Sequence, residues 1–507
     1  MLNQKLRISL ALAAGALGMP VLLAGCNIGP RYQPPAPPAI TAPNYKESTI
    51  NFHNAEGWKV ASPQAAMIRG NWWEIFHEPE LNALEEQLNI NNQTIKVSFQ
   101  NYMEARALIA EARAQYWPTI TTSPGYNRAQ TSGNQNVSSA ATTGRAYSLW
   151  DIPVDVSWSP DFWDKIRNEV RTEQYSAQVS AADLEVEKLT EQASLAEYYF
   201  EIRGQDMLRQ ILNQTVAADQ QALDADQGAY EAGTGDYISV IQARATLQNA
   251  QSTAINVGLL RAQYEHAIAM LLGRVATDFT IPAKPMIYTA PPIPTGVPSE
   301  LLERRPDIAA AERTLAAANA TIGIGYGAFF PQATISLSGG TESALFKHIA
   351  DWNSRVWSVG PSISQVIFNG WLYRAQLHQY VAIYNADLAT YRQTVLTAFQ
   401  QVEDALAATR IYSQQIIKQK QAVASDRQSL KLEMARYETG VDPYIDVTLA
   451  QTALLNDQET LNALQVDEMV SAVELVQALG GGWNRAELPT PRQVAAKTAK
   501  ADYVLQH

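Results

Sequence analysis

Few residues in this chain have the types and spacing that chemistry needs. Cys26 is the only cysteine, so no intrachain disulfide can form. The histidines His53, His77, His266, His348, His378 and His507 are scattered, with no His-Glu-x-x-His and no Cys/His cluster, which argues against a metal site. Gly323-Ile-Gly325-Tyr-Gly327 has the glycines of a phosphate loop, but no strand precedes it and it lies inside a helical tract. Small residues there let helices approach closely. Arg304-Arg305-Pro306-Asp307 groups charges, yet Pro in a helix's first turn with Asp at its positive end is a structural arrangement. Asp442 stands before Pro443 as an N-cap would, and Asp446 lies one turn further in, beyond capping reach. No catalytic constellation emerges, so the chain reads as a non-enzyme.

The elements that position these residues come in two copies. Tyr230-Glu-Ala-Gly233-Thr-Gly-Asp236-Tyr237 and Tyr437-Glu-Thr-Gly440-Val-Asp442-Pro443-Tyr444 stand 207 positions apart. At that offset residues 230–251 and 437–458 match at 10 of 22 positions, and Leu272-Gly273 falls on Leu479-Gly480. This is an internal duplication. Each copy reads as helix, glycine turn, helix, with Gly233 and Gly440 as the left-handed stops.

Residues 1–25 read as a targeting segment: Lys5 and Arg7 precede an apolar run too short for a comfortable membrane span. It ends Leu22-Leu23-Ala24-Gly25-Cys26, which resembles the lipobox of bacterial lipoproteins; an ordinary signal peptide with an incidental Cys is the alternative. Lipidation at Cys26 would tie the mature N-terminus to a membrane. Asn27 follows the Cys, and in such lipoproteins Asp at that place favours inner-membrane retention, so the resemblance implies the outer membrane. No other cofactor is expected. Without the segment, 36 basic side chains face 50 acidic ones, which argues against nucleic acid as a partner. No mature stretch resembles a transmembrane helix, so any crossing must use strands of a closed barrel.

In order, residues 26–79 form a Pro-rich tether and a mixed segment containing Trp72-Trp73. Residues 80–281 form a first repeat, helical except for a β-hairpin at about 119–159. Residues 282–305 are a linker, residues 306–480 a second repeat with a hairpin at about 332–368, and residues 481–507 a C-terminal segment carrying Lys497 and Lys500. In residues 147–159, Trp150, Ile152, Val154, Val156 and Trp158 alternate with Asp151, Asp155, Ser157 and Ser159, as for a strand between lipid and water. A half-buried strand of a soluble sheet has the same pattern; the second hairpin weighs for the membrane. No proline interrupts residues 162–281 or 372–442. A helix from Phe162 to the Tyr230 turn would span about 100 Å, and its counterpart after Trp371 the same. The segments after each turn and before each hairpin, stacked end to end, match one long rod. Each half is therefore one rod beside two shorter ones, with strands at one end and the Tyr-Glu-x-Gly turn at the other.

Leu302-Glu303-Arg304-Arg305-Pro306-Asp307-Ile308, Ala311-Glu312, Ile322-Gly323, Phe329-Phe330-Pro331 and Ala478-Leu479-Gly480-Gly481-Gly482-Trp483 resemble the outer-membrane efflux lipoproteins, the OprM/NodT-type branch of the TolC family. Residues 159–167 resemble the family's passage from strand to long helix, with Asp164 where Gly is usual. The resemblance spans essentially the whole mature chain. It implies an α+β membrane protein: a TolC-like homotrimer with a 12-stranded transmembrane β-barrel, four strands per chain, a long periplasmic α-helical barrel and a mixed α/β equatorial domain. Independently, four strands cannot close a membrane barrel, so their edges must pair with other chains, in a number the residues leave open.

The implied function is the exit duct of a tripartite efflux pump. An inner-membrane RND transporter and a periplasmic adaptor supply small molecules, which pass through the outer membrane. The resemblance puts a periplasmic gate at the tip turns, lined by Tyr437, Asp442, Ile445 and Asp446, with Asp236 and Ser239 as first-repeat counterparts. Asp446 repeated by symmetry would form an acidic ring favouring cations, and capping alone is the competing role for Asp442. Adaptor contact falls in the grooves beside Gly233 and Gly440. A duct for protein secretion and a non-channel envelope spacer are the rival readings.

Overall fold

The computed structural model describes residues 28–38, 45–47, 70–130, 132, 146–285, 289–293, 300–439 and 441–496. Cys26, Gly440, Lys497 and Lys500 lie outside these residues.

After a 3-10 turn at Trp72–Phe76 come α1 (Pro79–Asn91) and α2 (Gln93–Ala114), then β1 (Thr119–Thr122), β2 (Gly125–Gln130) and β3 (Ala146–Trp158). The long helix α3 (Lys165–Glu231) and α4 (Tyr237–Leu271) complete the first copy. The second copy runs α5 (Leu301–Arg304), α6 (Pro306–Gly327), β4 (Gln332–Ser343), β5 (Arg355–Ser364), α7 (Leu372–Glu438) and α8 (Tyr444–Ala478), followed by α9 (Pro491–Val494). Corresponding helices agree to the residue: α2 and α6 have 22 residues, α3 and α7 have 67, α4 and α8 have 35. At about 1.5 Å per residue each rod is about 100 Å long. The copies differ at the strands, where 50 residues separate α2 from α3 and 44 separate α6 from α7.

Both rods start from a residue that is not glycine yet has positive φ, Asp164 at 57° and Trp371 at 68°, again 207 apart. Asp tolerates this region better than most residues. The Asp164 carboxylate is buried against Arg167, so the joint keeps the left-handed turn expected of a glycine there.

The sheet order is β1-β3-β4-β5, with β2 also on β3. β1 and β2 hold one register against β3, Thr122 opposite Val154 and Gly125 opposite Asp151. They are one lane interrupted at Ser123-Pro124, where proline cannot donate to the ladder. Across the four lanes Ile120, Val156, Leu337 and Val359 form one row, and Thr121, Asp155, Ser338 and Ser358 the next. Opposite residues share a face, so one face is mainly apolar and the other mainly polar. Many of the apolar side chains are uncovered in the chain, Ile120 at 66 %, Ile363 at 77 % and Trp357 at 81 % exposed among them. A buried sheet face would not show this.

The helices continue the lanes. Near the strands α3 packs on α2 and α6, with Gly327 over Lys165; beyond mid-length it packs on α4 and α8, where Asn462 donates to the Gly204 carbonyl. The shorter helices stack end to end beside the rods. Asn92, at the start of α2, donates to Leu271 O at 2.9 Å, and Arg305, at the start of α6, donates to Ala478 O at 2.9 Å. Leu271 and Ala478 are again equivalent. Arg305 also grips Asp307 across Pro306, which gives that charged tetrad its structural role.

The principal core lies at these joints. Trp72, Leu81, Leu88, Tyr199, Phe200, Ile268 and Leu272 are fully buried together, so the Trp72-Trp73 segment packs at mid-length of the rods. The Pro-rich segment is fastened rather than free. Asn319 donates to Pro30 O, Tyr32 donates to Glu312, and a Cβ on Gly29 would fall 2.6 Å from the Gly323 Cα. That close passage of two backbones explains why Gly29 is glycine, while at Gly323 a Cβ would fall 2.5 Å from Asn168 Nδ2.

Candidate functional site

At the far end of each rod the chain makes a tight turn into the next helix. In the first, Gly233 has φ 73° and the amides of Thr234 and Gly235 donate to Ala229 O at 2.9 and 3.0 Å. Asp236 N-caps α4, its carboxylate accepting from Ser239 N at 2.8 Å. That backbone amide, with the Ser239 side chain, holds the Asp236 carboxyl below its ordinary range. Tyr230 and Tyr237 meet at 5.3 Å between ring centres, and their equivalents Tyr437 and Tyr444 at 5.1 Å. Both tips are thus clasped by a tyrosine pair across the turn.

The second tip carries more charge. Asp442 does not cap α8: the N-cap position belongs to Pro443, and the Asp442 carboxylate forms an ion pair with Arg436. The expected capping role is displaced because a carboxylate bridging the turn to a guanidinium gains charge-assisted hydrogen bonds. Asp446 sits in the first turn of α8, where its charge faces the positive end of the helix. Ile445 is half exposed, as is its counterpart Ile238.

One residue at this site had no signal in the sequence. Asp226, on α3, accepts from the Tyr437 hydroxyl at 3.2 Å, and both groups are largely covered. Two turns along, Gln451 of α8 donates to Asp219 of α3 at 2.7 Å. These contacts pin the second-repeat turn to the first-repeat rod. Burial raises both carboxyls above their ordinary range, opposed at Asp226 by the Tyr437 hydroxyl and at Asp219 by Gln451. Burial and these two acids push Tyr444 up to about 12. The structure brings Tyr437, Asp442, Ile445 and Asp446 to one turn and adds Asp226. It leaves Asp236 and Ser239 in the neighbouring turn. No group of three or more His, Cys, Asp and Glu among the described residues is arranged to hold a metal ion, and no described helix is long and apolar enough to cross a membrane.

A paired set of long rods with tight turns at one end and an amphipathic sheet at the other finds matches among known proteins. The sequence pattern of the family described as "Outer membrane efflux protein" matches residues 84–274 and 297–481. The chain belongs to this outer membrane efflux protein family. The solvent efflux pump outer membrane protein SrpC of Pseudomonas putida is 29% identical over 468 residues, covering 92% of this chain and 97% of SrpC. The solved outer-membrane channel OprN superposes with a TM-score of 0.78 at 25% identity, over 90% of this chain and all of OprN. The Campylobacter jejuni CmeC outer membrane channel shares the fold, with a TM-score of 0.83 at 20% identity over 94% of this chain and all of CmeC. As an outer membrane efflux protein, the chain works in export across the outer membrane, as its residue motifs implied.

Proposed function

We propose that three copies of this chain form one water-filled exit duct for small molecules. The observation that carries this reading is that both edges of every layer are open in the single chain. The β1/β2 lane and β5 bound the sheet, while α4 and α7 bound the helical layer with Ile255, Leu259, Ile411 and Ile417 uncovered. Unpaired strand edges demand partners. Three chains bring twelve lanes, above the roughly eight a membrane barrel needs.

The duplication names the missing contacts. Inside the chain, Gly204 of α3 faces Val466 of α8. Shifted by 207 positions, these become Ile411 of α7 and Leu259 of α4, both exposed. The same shift carries Asp219 and Gln451 to Asp426 and Arg244. In one chain Asp426 is crowded by Asp457 and its carboxyl is raised by burial and that neighbour, while no ion pair involves Arg244 among the described residues. Arg244 of the next copy supplies the countercharge.

In this reading Cys26 carries the lipid, the sheet is the outer-membrane barrel, and residues 26–79 and 481–507 contribute to the equatorial girdle. The repeats at 80–281 and 306–480, joined by the linker at 282–305, build the helical barrel. An inner-membrane RND-type pump drives transport, and a periplasmic adaptor seats in the grooves beside Gly233 and Gly440. Tyr437, Asp442, Ile445 and Asp446 line the tip constriction, with Asp236 and Ser239 alongside. Relatives named for solvent, toluene and antibiotic efflux support small, largely apolar cargo. The test is conductance of the purified protein in planar bilayers, combined with disulfide trapping of Arg244→Cys/Asp426→Cys. A trapped three-chain ladder with ion conductance is expected; a lone non-conducting chain overturns the reading.

A further inference from the structure

The five strands hold five charged side chains, and the sheet sorts them by sign. Asp151, Asp155 and Glu342 lie on the polar face. Arg128 and Arg355 lie on the apolar face, which is otherwise uncharged. The alternation that fixes this is simple. From the helical end outward, the first edge lane presents Ile120, Thr122, Pro124, Tyr126 and Arg128 on that face. The other edge lane presents Ile363, Pro361, Val359, Trp357 and Arg355.

Both lanes therefore end alike, with an aromatic ring and, two residues further out, a guanidinium. Eight residue steps from Ile120 to Arg128, or from Ile363 to Arg355, span about 27 Å. That matches the roughly 25 Å apolar band of an outer-membrane barrel, with the aromatics where a girdle belongs. Neither guanidinium has an ion pair or hydrogen bond among the described residues; that of Arg355 rests on the Trp352 ring at 3.5 Å. Tyr126, Trp150 and Phe346 continue the aromatic surface, with ring centres 4.5 and 5.0 Å apart. Both guanidinium groups are exposed at the outer margin of the apolar face, where an anion outside the protein can reach them.

We propose that Arg128 and Arg355 form a binding site for the phosphate groups of a phosphorylated lipid in the outer leaflet. The proposal rests on the barrel reading above, which also makes the two edge lanes neighbours across each junction between chains. A planar guanidinium grips phosphate oxygens with paired hydrogen bonds, and the aromatic rings pack beside the lipid at the apolar boundary. The site would occur once per junction.

The experiment is titration of the purified full-length protein in detergent micelles with diphosphorylated lipid A and with its dephosphorylated form, read by native mass spectrometry. Wild type is expected to retain the phosphorylated lipid roughly tenfold or more tightly than Arg128→Gln/Arg355→Gln. The dephosphorylated lipid should bind both proteins alike, and Arg128→Lys/Arg355→Lys should recover part of the difference. Equal retention of the phosphorylated lipid by wild type and the Gln variant, both conducting in bilayers, overturns the site and leaves the barrel standing. Displacement of the lipid by inorganic phosphate alone, with no preference between the two lipids, overturns it as well. Wild type that conducts nothing condemns the barrel reading instead.

Discussion

Tyr437 and Asp226 stand 211 positions apart and meet through one hydrogen bond. If that bond holds the tip shut, Tyr437→Phe and Asp226→Asn should each raise conductance. The double variant should raise it no further than either single one, because both remove the same contact. Asp446→Ala tests a separate property: reduced block by divalent cations, or altered cation preference, is expected in the same bilayer recordings. Glu197, on α3, makes a pH-dependent contribution. Burial first, then the Glu474 and Glu201 carboxylates, push its carboxyl up to about 7. Because the folded value is raised, the stabilisation is complete below the ordinary range and is lost as pH rises through about 7. Glu197→Gln should therefore raise the melting temperature in mildly alkaline buffer and leave it unchanged in acid. The tyrosines, the aspartates and the glycine stops were legible from the duplicated motif. Asp226 was not, since its partner is set by how two rods lie side by side, which no local pattern records.

The equal helix lengths in the two copies were legible for a physical reason. Proline-free tracts of good helix formers run until a glycine turn or a proline ends them. The strand faces were legible from alternation, whereas the interruption at Ser123-Pro124 and the direct pairing of β3 with β4 needed the fold. So did the Arg436–Asp442 pair, because capping is read from neighbours in sequence and this contact closes across the turn. At this scale Trp72 is decisive: fully buried where α1 and α3 meet, it should cost about 3–5 kcal/mol when replaced by Ala, measured by denaturant unfolding. The contact between α7 and the next α4 makes its own prediction. Arg244→Asp should weaken assembly, and adding Asp426→Arg should restore it, as read by cross-linked ladders.

For the whole molecule, the two copies are alike along the rods and unlike at the strands, where 50 residues in one stand against 44 in the other. In the proposed three-chain ring the periplasmic rim then repeats six times, the in-chain groove between α3 and α8 alternating with a near-twin between α7 and α4 of the next chain. The opposite rim repeats only three times, since longer and shorter hairpins take turns around it. A docking protein arriving from inside the envelope meets six almost interchangeable berths. Anything arriving from outside, an antibody or a phage fibre, meets a three-cornered crown instead.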